Sequence, residues 1–83
     1  MNRLFIEFFD IKTEMLMKEI DISHYELKKI NTICPPDDPH DTEYTNSQYV
    51  TSKQFSKLKK YINEIRNMEE NKYIINICTY RMN

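Results

Sequence analysis

Not one of the 83 residues is glycine. Glycine enters positive φ without a steric cost and lets a backbone approach a ligand closely. Its absence excludes the phosphate-cradling P-loop and the dinucleotide-binding fingerprint, both of which are glycine motifs. It also excludes a standard EF-hand loop, whose sharp turn needs a central glycine. Two-residue hairpins depend on Asn-Gly and similar pairs, so tight hairpins are disfavoured here.

Alanine and tryptophan are missing as well, while the chain holds 11 Ile, 9 Lys, 8 Asn, 6 Tyr, 5 Met and 4 Phe. These residues share A/T-rich codons, which points to a phage, a plasmid, a large DNA virus or a low-GC bacterium. The length predicts one domain over residues 1–83. A chain this short buries only about 60% of its unfolded surface, so a partner or a second copy would relieve a thin stability margin.

Residues 3–20 read as a first helix. On a helical wheel Leu4, Phe5, Phe8, Phe9, Ile11, Met15, Leu16 and Ile20 share one half, although Ile6 and Met17 fall among the polar residues. The rival reading makes Leu4–Phe9 a strand, because that stretch is rich in Phe and Ile. A second helix is expected over 24–33, with Ser23 and Glu26 as a capping box and Ile22 and Leu27 as a hydrophobic staple. Cys34-Pro35-Pro36 ends it, since a residue before proline avoids the helical region. A third helix is expected over 52–70, opened by a Thr51–Gln54 capping box and a Val50–Phe55 staple.

Between the second and third helices runs a proline-containing acidic loop, 35–50. Residues 73–80, dense in β-branched and aromatic side chains, read as a strand. It needs a hydrogen-bonding partner. The candidates are the extended part of the loop, the N-terminal segment or the same strand of a homodimer. The expected fold is therefore a small α+β domain, mainly helical. Its expected core is Phe5, Phe8, Phe9, Met15, Leu16, Leu27, Ile30, Phe55, Leu58, Ile62, Ile65, Ile75 and Ile77.

The net charge of −1 hides a segregation. Residues 34–52 carry four acidic side chains and no basic one, whereas residues 53–83 carry seven basic and three acidic, a net +4. In one reading the loop packs back on the third helix and neutralises itself. In the other, Asp37, Asp38, Asp41 and Glu43 form an acidic surface for a basic partner, with Tyr44 and Tyr49 as aromatic anchors. Asp37, Asp38, His40, Asp41 and Glu43 lack any standard metal-ligand spacing, so no metal is expected. A nuclease-like pairing of Asp37 with Glu70-Asn71-Lys72 is a motif without its strand context.

The third helix offers a second kind of surface. Lys53, Lys57 and Lys60 line one stripe, with Lys59 and Arg66 beside it. Phosphate binding uses such residues, but the chain as a whole lacks a basic footprint.

No nucleophile has an oriented base, so no catalysis and no cofactor are expected. Cys34 and Cys78 are too few for a disulfide scaffold. Glu7 and Asp10 interrupt the apolar N-terminus, and no apolar run has membrane-spanning length, which predicts a cytoplasmic protein of a bacterium or an infected host. The functional expectation is a non-catalytic protein-binding module: an immunity protein, an antitoxin, or a phage or viral factor that blocks a host protein. The acidic loop would do the docking. The alternative is a nucleic-acid-binding regulator that uses the third helix.

Overall fold

Leu4, Ile6 and Phe8 alternate with Phe5, Glu7 and Phe9 in a strand, not a helix. A computed structural model describes residues 2–81. Its elements are β1 (Asn2–Asp10), β2 (Leu16–Asp21), α1 (Leu27–Ile33), β3 (Gln48–Tyr49), α2 (Ser52–Tyr61) and β4 (Tyr73–Arg81). Two 3-10 turns, Asn63–Ile65 and Glu70–Lys72, lie between α2 and β4. The strands form one antiparallel sheet in the order β2-β1-β4-β3.

This corrects the expected mainly helical fold with three helices: the described residues form four strands in one sheet and two α-helices. The expected helix over 3–20 is the β1–β2 hairpin. Period-2 alternation was concealed because β1 carries large apolar groups on both faces. Leu4, Ile6 and Phe8 are buried against the helices, and Phe5 and Phe9 lie half-buried on the opposite face. The turn carries no glycine or proline to mark it either. The Asp10 carboxylate accepts the Lys12 and Thr13 N–H groups, each at 2.8 Å, and Glu14 takes a φ of 60° where glycine would ordinarily serve. Two expected core residues fall in or next to β2 and are exposed, Met15 at 66% and Leu16 at 48%.

The expected second helix begins later, at Leu27. Ser23 does not cap it. The Ser23 hydroxyl accepts the Leu4 N–H at 2.8 Å instead, and the Ser23 N–H donates to Asp21 Oδ1 at 2.9 Å. A tertiary partner thus outcompetes the local capping box.

The expected third helix stops at Tyr61 rather than 70. Its start follows local chemistry, with both hydrogen bonds of the Thr51–Gln54 capping box formed. At its end Ile62 is extended, and the Asn63 N–H donates to the Tyr25 hydroxyl at 3.0 Å rather than continuing the helical ladder.

β4 pairs along its length with β1, in a register that includes Ile6 opposite Ile77, and briefly with Gln48 and Tyr49 of β3. Ile6, Phe8, Ile75 and Ile77 of the sheet meet Ile30, Phe55, Leu58, Ile62 and Ile65 in one core. Phe8 and Phe55 contact edge to face, 5.9 Å between centroids. Each fully buried Ile, Leu or Phe contributes about 1.5–3 kcal/mol. The other face of the sheet carries no helix among the described residues. No helix among them is long and apolar enough to cross a membrane.

Candidate functional site

The segment from Pro35 to Ser47 is irregular but tied at several points to the body of the protein. Gln48 is buried beneath it; its Oε1 accepts the Asp37 N–H at 2.9 Å and its Nε2 donates to the Pro35 carbonyl at 3.2 Å. Asn31 of α1 donates from Nδ2 to the Thr42 carbonyl and to the Tyr44 hydroxyl, both at 2.9 Å. The Thr79 N–H of β4 donates to the Tyr44 carbonyl at 2.9 Å, and the Thr79 hydroxyl donates to the Glu43 carbonyl.

Tyr44 is the hub of this arrangement and corrects the expectation that it is an aromatic anchor for a partner. It is fully buried, and its hydroxyl donates to the Cys34 carbonyl at 2.6 Å. Burial pushes its hydroxyl up to about 12. The backbone there has a φ of 57°, a left-handed conformation that costs a non-glycine residue energy and persists only when packing imposes it.

The acidic residues divide into two roles. Asp41, half-buried, organises the loop. Its Oδ1 accepts the Thr45 N–H at 2.9 Å and the Thr45 hydroxyl at 2.5 Å, and its Oδ2 accepts the Asn46 N–H at 2.8 Å. The hydroxyl of Thr45 first, then the two amides, hold the Asp41 carboxyl below its ordinary range. Asp37, Asp38 and Glu43 are exposed, as is Tyr49 at 57%. Asp38 spends one oxygen on the His40 N–H, at 2.9 Å.

None of these carboxylates has an ion-pair partner among the described residues. Among the described residues the ion pairs are Arg3–Asp21, His24–Glu64 and Lys72–Glu69, and none of them reaches the loop. The reading in which the loop folds back onto the third helix and cancels its charge therefore has no ion pair to support it. The loop acids and His40 do not converge on a metal position either. No group of three His, Cys, Asp or Glu suited to a metal is found among the described residues.

Lys53, Lys57 and Lys60 are exposed along α2, and Lys59 is half-buried with its ammonium 5.7 Å from the Phe55 ring centroid. Arg66 lies beyond the helix and donates to Asn63 Oδ1 at 2.6 Å. The basic stripe is thus shorter than a helix over 52–70 would make it.

Two constellations escaped the sequence reading. The first is Glu7, only 4% exposed although it sits on the helix-free face of the sheet. It accepts from Cys78 Sγ at 3.0 Å and from the Tyr80 hydroxyl at 2.5 Å. Alternation in β4 would have placed Cys78 and Tyr80 on one face, but only the β1–β4 register brings Glu7 to them. The second joins Tyr25 to the end of α2: its hydroxyl donates to Glu64 Oε1 at 2.5 Å, and its ring meets Tyr61 at 5.1 Å. Neither thiol is activated. Burial pushes Cys34 up to about 12, and burial followed by the Glu7 carboxylate does the same for Cys78.

A family model described as a domain of unknown function (DUF7683) matches residues 3–77. The chain belongs to the DUF7683 family. The DUF7683 match takes in the whole acidic loop and α2 and ends within β4. No curated protein and no solved structure matches the chain.

Proposed function

We propose that this chain is a small non-catalytic protein-binding module that docks on a basic surface through its acidic loop. In this reading it is an inhibitor or neutraliser from a mobile element: an immunity protein, an antitoxin, or a phage or viral factor that blocks a host protein in the bacterial or infected-host cytoplasm. The observation that carries the reading is the loop itself. It is pinned by Tyr44, Gln48 and Asn31, yet it presents Asp37, Asp38 and Glu43 to solvent without an intramolecular ion pair among the described residues. Pinning lowers the ordering cost of binding, and unneutralised charge steers encounter with an opposite surface.

The test is a pull-down from a lysate of the native host, with and without nuclease. It compares the wild-type chain with a triple variant, Asp37→Asn, Asp38→Asn, Glu43→Gln, whose fold is checked by circular dichroism. A stoichiometric protein that survives nuclease and is lost with the variant supports the reading. Equal capture by the variant at low salt overturns it.

A second reading uses α2. Lys53, Lys57 and Lys60 are exposed and form no ion pair among the described residues, which favours phosphate contact. Nucleic-acid affinity that falls steeply with salt and with Lys57→Gln and Lys60→Gln would support it. No binding to DNA or RNA at low salt would overturn it.

A further inference from the structure

Next to the loop, between it and the start of β1, is a notch of about 140 Å³. Leu4, Tyr25 and Leu27 give it apolar walls, Ser23 and Thr79 contribute hydroxyls, and Glu43 of the acidic loop is its charged residue. We propose that this notch receives one long cationic side chain, a lysine or arginine, from the protein partner. The proposal rests on the protein-binding reading above and deepens it by naming what the partner inserts.

Size, charge and stiffness support this occupant. A cavity near 150 Å³ accommodates about one benzene, whereas cofactor and drug-sized pockets run from roughly 300 Å³ upward. The notch therefore suits a single side chain rather than a nucleotide or a cofactor. Its apolar walls fit a methylene stem, and Glu43 in its lining supplies a countercharge for the cationic end. Glu43 uses only its backbone carbonyl to hold the fold, through Thr79, so its carboxylate is available.

The walls are also fixed in advance. The Tyr25 ring is held by the hydroxyl bond to Glu64 and by the Tyr61 ring. Leu4 is held through its N–H on the Ser23 hydroxyl. Such preorganisation reduces the ordering cost of an inserted side chain.

The test is a ¹⁵N NMR titration of the full chain at low salt with capped hexalysine, and with a capped hexamer of diaminobutyrate. The second peptide keeps the charge and shortens each stem by two methylenes. Each buried methylene strengthens binding about fourfold, so the notch predicts about a fifteenfold preference for hexalysine. It also predicts amide shifts at Ser23, Leu27 and Thr79. Glu43→Gln should weaken hexalysine at least fivefold more than the Asp37→Asn, Asp38→Asn pair does.

Equal binding of the two hexamers, with shifts confined to 37–42, would overturn the notch and leave the acidic-loop reading standing. Failure of both hexamers to bind would overturn the two together. Hexaarginine run in parallel distinguishes the two side chains.

Discussion

The Tyr80 hydroxyl donates to Glu7 Oε2 at 2.5 Å across the β1–β4 pair, on the sheet face away from the helices. Hydrogen bonding to the Glu7 carboxylate raises the Tyr80 hydroxyl above its ordinary range. Tyr80→Phe would leave one oxygen of a nearly buried carboxylate without its donor. The expected cost is about 1–2 kcal/mol in urea denaturation. Adding Glu7→Gln to Tyr80→Phe should recover part of it, because a neutral amide is cheaper to leave half-satisfied. Additive losses would show that the pair is not coupled.

The two thiols give a chemical readout of the fold. Both are free, buried and pushed up to about 12, so neither supplies thiolate at neutral pH. Native protein at pH 8 should resist iodoacetamide, and two equivalents should react in denaturant. Fast alkylation of the native chain would contradict the placement of Cys34 in the core and of Cys78 against Glu7.

Asp21 predicts an acid-sensitive stability term. Burial pushes its carboxyl up, but the Ser23 hydroxyl and N–H and the Arg3 guanidinium outweigh it and hold the group at about 2, against an ordinary 3.8. A folded value below the unfolded one gives stability that is present above about 3.8 and lost as pH falls towards 2. Because the pair is partly exposed, the gain is up to about 1 kcal/mol. Asp21→Asn should lower Tm at pH 7 and make progressively less difference as pH falls towards 2.

Glu14 occupies the left-handed region at the exposed hairpin turn. Glu14→Gly would relieve that strain and stabilise the protein by about 0.5–1 kcal/mol, after allowing for the freer unfolded chain. A rise in Tm of a few degrees is expected in differential scanning calorimetry. A fall would mean that the Glu14 side chain does something other than tolerate the turn.

Asp41 should behave differently from its acidic neighbours. It accepts three hydrogen bonds inside the loop, so Asp41→Ala should lower Tm. It should also accelerate hydrogen exchange at Thr45 and Asn46. Asp37→Asn, with an exposed side chain, should change neither.

What depends on near neighbours in the chain is legible in the residues alone. The Thr51–Gln54 capping box closes within one helical turn, and the amphipathic run that follows buries Phe55 and Leu58. The segregation of charge is likewise a property of the chain, and the loop carboxylates stand exposed or half-exposed where the residues put them. What failed to show was whatever needed a distant partner. Periodicity favoured a helix over 3–20, but strand hydrogen bonds exist only between segments, and β4 supplies them to β1 from the far end of the chain. Ser23 had a local capping partner in Glu26 and bonded Leu4 instead. Tyr44 read as a surface aromatic and became the buried tie between loop and core, because Asn31 and the Cys34 carbonyl complete its hydroxyl. In each case a polar group leaving water settles on the best partner the whole fold offers, and only folding brings that partner near.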